Sequence, residues 1–273
     1  MMHDVNASAV TAPATSAARP AHHQSPADLV AAGMALAILA VAQHASYASM
    51  LAVWHRSATF AHGYLILPIS LWLIWRQRDS LLRVPRQPAL TGLLLLGVLV
   101  LVWLLAAVAN VSALMQYSAT LMVAATVATV LGWRLTRAMA FPLAYLLLAV
   151  PFGEVLIPPM IEFTARFTVF ALQCSGLPVF RDNNHLILSS GSWDVVEACS
   201  GLRYLMASLA LGALFAHLNY HSNARKLAFL GVSLLLPVLA NGVRAYLIVM
   251  LGHLSDMRLA AGVDHLIYGW LFF

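Results

Sequence analysis

Charged residues and cysteines are both scarce in this chain, and each scarcity excludes a class of protein. Asp, Glu, Lys and Arg make up 9% of the 273 residues, and the mean hydropathy is +0.83, whereas a soluble domain carries about 25% charged residues. There are two cysteines and no His-Glu-x-x-His or paired-cysteine pattern, so a zinc site is not indicated. The net charge of +5 comes from arginines spread over short loops, which does not suggest nucleic-acid binding. We therefore expect no metal, no cofactor and no nucleic-acid partner.

The chain contains instead a series of apolar blocks long enough to cross a bilayer, which takes about 20 residues. The predicted spans are 29–51, 61–75, 90–109, 112–131, 138–152, 200–218, 227–250 and a last one that opens near His265. The fold class is therefore all-α, a polytopic membrane bundle of about eight transmembrane helices. Because the chain stops at Phe273, we expect the last helix to be incomplete.

The N-terminal segment differs in composition from the rest of the chain. Residues 1–27 are dominated by Ala, Ser, Thr, Pro and His without an apolar period, which predicts a disordered tail. Residues 28–273 then form a single transmembrane domain.

Basic residues predict the orientation of this domain. Arg and Lys cluster in three loops, after the second, fourth and sixth spans, at 76–86, 134–137 and 225–226. These loops alternate correctly to share one side, which the positive-inside rule makes cytoplasmic. The N-terminus is then cytoplasmic, and residues 153–198 form the main external loop.

The external loop has internal structure of its own. Residues 157–172 have an amphipathic pattern with Glu162 and Arg166 as an (i, i+4) pair, which predicts a helix along the outer interface. The stretch 176–194, with its turn residues and short apolar runs, is typical of a turn and hairpin.

Three polar groups fall at the outer ends of predicted spans, where ionisable residues are functional candidates. Cys199 and Arg203 are four residues apart at the start of the sixth span, which predicts a shared helix face. Asn241 and Arg244 share a face of the seventh span, and Asp264–His265 opens the last. A thiol at a helix N-terminus beside a cation is stabilised as thiolate and becomes a nucleophile.

Each of these residues also has an ordinary structural interpretation. Cys199 can form a disulfide with Cys174, since both are predicted on the outer side. Arg203 or Arg244 can simply extend its side chain to the membrane–water interface and have no further role. His62, near the outer end of the second span, is structural or faces the substrate with equal weight.

Together the motifs resemble those of the exosortases, membrane transpeptidases of the exosortase/archaeosortase family. The strings that carry the resemblance are EACSGLR at 197–203, NGVR at 241–244, DHLIYGW at 264–270 and HGYL at 62–65. The similarity covers about 55–273 and is strongest to the exosortase A type, in which a periplasmic domain often follows the last span.

The resemblance implies a function. Exosortases process secreted proteins with a C-terminal PEP-CTERM sorting signal, which combines a Pro-Glu-Pro motif, a transmembrane helix and a basic tail, and their genes often accompany exopolysaccharide production. The enzyme would be a thiol protease and transpeptidase of the bacterial inner membrane, with its active site at the periplasmic face. By resemblance and by chemistry, the catalytic residues would be Cys199, Arg244 and His265, with Cys199 as the nucleophile. Arg244 would stabilise the oxyanion or the thiolate. Either Arg244 or His265 would give the proton to the leaving amine, and chemistry favours the histidine because it titrates near neutral pH. The supporting or substrate-binding residues would be Glu197, Arg203, Asn241 and His62.

Two other functions fit parts of the sequence. A transporter or export component for exopolysaccharide could use Arg203, Arg244 and His265 to line a polar path, although such a path should show polar residues through the whole bilayer depth. A membrane acyltransferase could use Cys199 on a lipid donor.

Overall fold

The computed structural model describes residues 26–256 and shows a polytopic helical membrane protein, as the sequence predicts. The helices are α1 (Pro26–Ala42), α2 (His44–Arg56), α3 (Gly63–Arg76), α4 (Arg78–Leu81), α5 (Leu90–Val108), α6 (Ser112–Leu131), α7 (Trp133–Ala138), α8 (Ala140–Tyr145), α9 (Ile157–Cys174), α10 (Leu202–Asn219) and α11 (Asn223–Leu254). Short 3-10 turns occupy Leu146–Ala149, Glu154–Leu156 and Glu197–Cys199. A small sheet contains β1 (Phe180–Asp182), β2 (His185–Leu188) and β3 (Gly191–Asp194).

The described residues contain five helices long and apolar enough to cross a membrane. These are Leu90–Val108, Ser112–Leu131, Glu154–Cys174, Glu197–Asn219 and Asn223–Leu254, and the pair α1–α2 makes a sixth if it is one broken span. The predicted spans 61–75 and 138–152 correspond to shorter apolar helices, Gly63–Arg76 and Ala140–Ala149. The predicted span near His265 lies outside the described residues.

The first predicted span corresponds to two helices, α1 and α2, which are bent by 71° at Gln43. The bend occurs where polar residues enter the apolar run and find partners inside the bundle. The Ser46 hydroxyl accepts a hydrogen bond from Trp103 Nε1 at 2.9 Å, and Ser49 accepts one from Gln116 Nε2 at 2.9 Å. Buried polar groups are stable in a bundle only when they are paired in this way.

The first half of the bundle is built around α6. This helix contains the fully buried residues Ala119, Ala125 and Ala128, and small side chains allow neighbouring helices to approach closely. A Cβ added at Gly92 of α5 would lie 2.6 Å from the Thr129 backbone nitrogen. The α5–α6 contact is therefore a backbone-to-backbone contact.

The second half of the bundle is formed by α9, α10 and α11. Gly212 of α10 packs on Ser233 of α11, while Gly242 of α11 packs on Phe167 of α9. The Tyr145 hydroxyl of α8 donates to the Ala210 carbonyl at 3.2 Å and links the two halves. Because α10 and α11 run antiparallel, the start of α10 lies beside the later part of α11.

Residues 153–198 contain the predicted helix and hairpin. Helix α9 carries the expected Glu162–Arg166 pair at 2.5 Å, and Arg181 of β1 contacts the same carboxylate. The antiparallel order β1-β2-β3 confirms the hairpin, which buries Leu186 and Leu188 against α9 and α11. Since α9 is itself long and apolar enough to span a membrane, its interfacial position remains a prediction.

The close α5–α6 approach gives a stability prediction with a control in the same helix. We expect Gly92→Ala to destabilise the protein by about 1–3 kcal/mol, because the added methyl meets backbone atoms that cannot rotate away. At Gly97 an added Cβ meets nothing within 4 Å, so Gly97→Ala should be neutral or stabilise by about 0.5–1 kcal/mol. Thermal unfolding of the two variants in detergent checks this, and equal melting temperatures would contradict the packing argument.

Candidate active site

Cys199 lies in a separate turn before α10 and not in the helix itself. The 3-10 turn Glu197–Cys199 is closed by the Cys199 amide, which donates to the Val196 carbonyl at 2.8 Å. Gly201 then has a left-handed φ of 78°, and α10 begins at Leu202. The prediction that Cys199 and Arg203 share a helix face is therefore wrong, because Gly201 interrupts the helix between them.

Asn241 holds this turn in place from the neighbouring helix. Its side-chain amide donates to the Cys199 carbonyl at 2.7 Å and to Thr164 Oγ1 of α9 at 3.1 Å. The residue is 2% exposed, so these bonds are shielded from water. A Cβ at Gly201 would lie 2.6 Å from Asn241 Cγ, and only glycine leaves room for the amide. Asn241 thus joins the cysteine turn, α9 and α11.

Arg244 lies nearly one turn after Asn241 on α11 and is 5% exposed. Its guanidinium carbon is 5.8 Å from the centre of the Tyr204 ring, a cation–π contact. The Arg244 Nε atom is buried and has no hydrogen-bond partner among the described residues. A buried guanidinium N–H without an acceptor is energetically costly, so this N–H is available to donate a hydrogen bond to an oxygen atom of a ligand.

A cavity of about 240 Å³, here called the site cavity, connects Arg244 to the cysteine turn. It is lined by Thr59, Glu197, Ala198, Ser200, Gly201, Leu202, Arg203, Tyr204 and Arg244. Both neighbours of Cys199 therefore line it. Glu197 and Arg203 are exposed, while Arg244 is buried, so the cavity has a charged rim and a cationic interior.

The Cys199 side chain is half-buried and packs, as do Tyr246 and Met250, against the apolar cluster beneath the hairpin. Among the described residues, the lining of the site cavity includes both neighbours of Cys199 but not Cys199 itself. Cys199 and Cys174 are both thiols in this structure, and Cys174 is exposed at the end of α9. The disulfide considered from the sequence is not formed.

His62 fixes the wall that carries Thr59. Its Nδ1 and Nε2 atoms lie 3.2 Å from the Thr59 and Leu148 carbonyl oxygens, respectively. His62 does not line the site cavity, and these contacts favour the structural interpretation. Phe60 is buried against Leu202, which brings Thr59 to the cavity.

The structure brings five of the predicted residues together and places His62 on a neighbouring turn. The site cavity is lined by Glu197, Arg203 and Arg244. Cys199 lies in the turn beside it, and Asn241 is hydrogen-bonded to that turn. His62 acts on a neighbouring turn, and His265 lies outside the described residues.

Sequence reasoning missed Tyr204, Thr59 and Thr164. Tyr204 directly follows Arg203, and its position in the first helical turn after the cysteine motif could have identified it as a site residue. Thr59 and Thr164 come from distant segments, and the sequence carries no sign that they approach the motif.

No metal-binding group is formed by the described residues. Between residues 26 and 256, no three His, Cys, Asp or Glu side chains converge as ligands. Among the described residues, the ionisable side chains that line the site cavity are Glu197, Arg203, Tyr204 and Arg244, and the Cys199 thiol lies in the turn beside it.

Comparison with protein families matches residues 54–273 to the family described as transmembrane exosortase (Exosortase_EpsH). The match covers 220 of the 273 residues and includes every residue predicted for the site. Searches of the curated proteins and of the solved structures give no match.

The fit between Gly201 and Asn241 gives a prediction with a matched control. Both Gly201 (φ 78°) and Gly176 (φ 82°) are left-handed, but a Cβ at Gly176 meets nothing within 4 Å. Alanine therefore carries the same backbone strain at both positions, and only Gly201→Ala should displace Asn241, at a further cost of about 1–3 kcal/mol.

The measurement is thermal unfolding together with maleimide labelling of Cys199. Cys174→Ser is the background, because Cys174 is exposed. We expect Gly201→Ala to melt earlier than Gly176→Ala and to label faster at Cys199. Identical labelling of the two variants would show that Asn241 does not hold the cysteine turn.

Proposed function

Because the chain belongs to the transmembrane exosortase family, we propose that it is a cysteine peptidase and transpeptidase in which Cys199 attacks the substrate. Membership of this family implies processing of proteins with a PEP-CTERM signal. The observation that carries the proposal is the site cavity, in which buried Arg244 faces the same space as both neighbours of Cys199.

The first chemical step is attack of the Cys199 thiolate on the carbonyl carbon of the scissile peptide bond. The tetrahedral intermediate places a negative charge on the former carbonyl oxygen, and the Arg244 guanidinium would stabilise it in a buried site where such charges interact strongly. Collapse breaks the C–N bond, leaves a thioester on Cys199 and releases the C-terminal fragment as an amine.

The leaving amine needs a proton, and His265 is the proposed donor. Histidine titrates near neutral pH whereas arginine remains charged, so histidine is the better acid and base. In the second step His265 would take a proton from water or another acceptor nucleophile, which then attacks the thioester and releases the Cys199 thiolate. The remaining residues would act around this centre. Asn241 positions the carbonyl of Cys199, and His62 supports the adjoining wall.

The substrate would approach along the outer rim of the bundle. Arg203 is exposed at the cavity rim, where its guanidinium could bind the glutamate of the Pro-Glu-Pro motif in a bidentate manner. Glu197, on the same rim, would repel that glutamate and so keep it on the Arg203 side of the cavity.

We further propose that the protein is an exosortase of the A type, located in the bacterial inner membrane, with its active site at the periplasmic face.

Polar residues at one end of the bundle favour this proposal over a transporter. The site cavity lies where α10 begins, and its charged residues are confined to that end of the two helices. A conducting path would need polar groups along the whole span.

The two cysteines provide the first functional test. We expect Cys199→Ala to lower cleavage of a PEP-CTERM reporter about 10³-fold or more, because no other group forms the thioester. Cys199→Ser should be nearly inactive, since a serine hydroxyl remains protonated without a strong base. Cys174→Ala is the matched control and should cleave at the wild-type rate. Immunoblotting of the reporter gives the rate, and membrane fractionation shows that each variant is inserted.

Mass spectrometry of the trapped intermediate distinguishes peptidase from acyltransferase. Acid quenching during turnover should leave Cys199 linked to the reporter peptide through a thioester. A fatty acyl group at Cys199, or undiminished cleavage by Cys199→Ala, would overturn the proposed function.

The two arginines provide the second functional test. Arg244→Lys keeps the charge but loses the planar donor array, so we expect kcat to fall about 10²–10³-fold. Arg203→Lys should change cleavage by at most about tenfold, because an exposed ion pair contributes little. Reporter kinetics on purified variants measure both, and unfolding temperatures show whether Arg244→Lys folds. A larger loss from Arg203→Lys than from Arg244→Lys would reverse their roles.

A further inference from the structure

A second polar cavity lies at the opposite end of α10 and α11 from the cysteine turn. Its volume is about 620 Å³, within the range of about 300–1,000 Å³ usual for ligand sites. Lys226 in its lining precedes Arg244 by 18 residues of α11, or about 27 Å at the rise of an α-helix. That distance is close to the thickness of the hydrocarbon core, about 30 Å. The two cavities therefore lie at opposite membrane faces. We call this one the basic cavity.

The charge of the basic cavity has a single sign. Arg137, at the end of α7, and Lys226, in the first turn of α11, both line it, and no carboxylate does so among the described residues. Within residues 26–256, neither cation forms an ion pair. The acidic residue of the nearby helix α4, Asp79, is paired with Arg78 at 3.8 Å. Two cations thus face one open space without an internal counter-ion.

The other walls of the basic cavity are mostly apolar. Phe141 of α8 stacks on the His217 ring with centroids 3.7 Å apart and an interplanar angle of 2°, which fixes one wall. Leu227 and Leu230 of α11 contribute to the opposite wall. A ligand that fills this space therefore needs an anionic group and an apolar part.

We propose that the basic cavity binds the phosphate group of an anionic phospholipid from the leaflet opposite the site cavity. Arg137 and Lys226 would bind the phosphate oxygens through charge-assisted hydrogen bonds, and the glycerol and upper acyl chains would lie along the apolar walls. Basic pockets between membrane helices at the cytoplasmic face bind such headgroups, and the arginine-rich loops predict that this face is cytoplasmic.

Occupancy of this cavity stabilises the junction of the two halves of the bundle. The cavity lies where α8 of the first half meets α10 and α11 of the second. The Tyr145–Ala210 hydrogen bond crosses the same junction. A lipid bound by Arg137 on one side and Lys226 on the other connects both halves, so its binding raises the unfolding temperature of the whole protein.

The test compares two double variants of the full chain with the same change in charge. Arg137→Gln with Lys226→Gln removes both cations of the basic cavity. Arg134→Gln with Arg225→Gln removes two exposed cations of the same loops that do not line it. Each protein is purified in detergent and melted with added phosphatidylglycerol, with phosphatidylcholine, or with inorganic phosphate alone. Native mass spectrometry counts the lipids retained.

We expect phosphatidylglycerol, and not phosphatidylcholine or phosphate, to raise the melting temperature of the wild type and of the Arg134/Arg225 variant. The Arg137/Lys226 variant should lose this shift and bind phosphatidylglycerol about tenfold more weakly than the control, because it lacks two cationic contacts. An equal shift in all three proteins would indicate surface charge only. A full shift with inorganic phosphate would indicate an anion site without lipid. Either result would overturn the proposal.

Discussion

The hydrogen bond from the Asn241 amide to the Cys199 carbonyl connects the two motifs of the candidate site. It is 2.7 Å long and buried, and it is possible only because Gly201 leaves the space that a side chain would occupy. The same amide reaches Thr164, so one side chain fixes the cysteine turn, α9 and α11. In a protein interior such a bond is strong, and an unpaired amide there would be costly.

Arg244 illustrates the opposite principle, a buried group left partly unsatisfied. The Asn241 amide nitrogen donates two hydrogen bonds in the folded protein, whereas Arg244 keeps a buried Nε without an acceptor among the described residues, beside a cavity. Stability alone would favour pairing or an apolar residue at this position. In the proposed mechanism, an oxyanion formed on the substrate would supply the missing acceptor in the transition state. An interaction that is stronger in the transition state than in the substrate complex lowers the activation barrier and accelerates the reaction.

The length and antiparallel packing of α10 and α11 separate two electrostatic regions. One end of the pair forms the site cavity, and the other end gathers basic side chains from α7 and α11 around the basic cavity. Small residues such as Gly212 and Gly242 allow the helices to pack closely between these ends. Between the two cavities the helix pair is well packed, and charged side chains lie towards its ends, where Arg244 is buried and Arg203 is exposed.

Sequence reasoning is sufficient to predict the helical membrane class, most span positions, the hairpin at 176–194 and the motifs that include Cys199, Asn241 and Arg244. Hydrophobic length and basic loops are local signals, so they can be read without a structure. The three-dimensional structure was needed to find the bend at Gln43, the interruption at Gly201 and the contacts of Thr59, Thr164 and Tyr204. These depend on the partners available to polar groups inside the bundle, and such partners come from distant segments. Cys199 and Arg203 show the difference clearly: their spacing predicts one helix face, but the left-handed glycine between them, required by Asn241 from another helix, separates them.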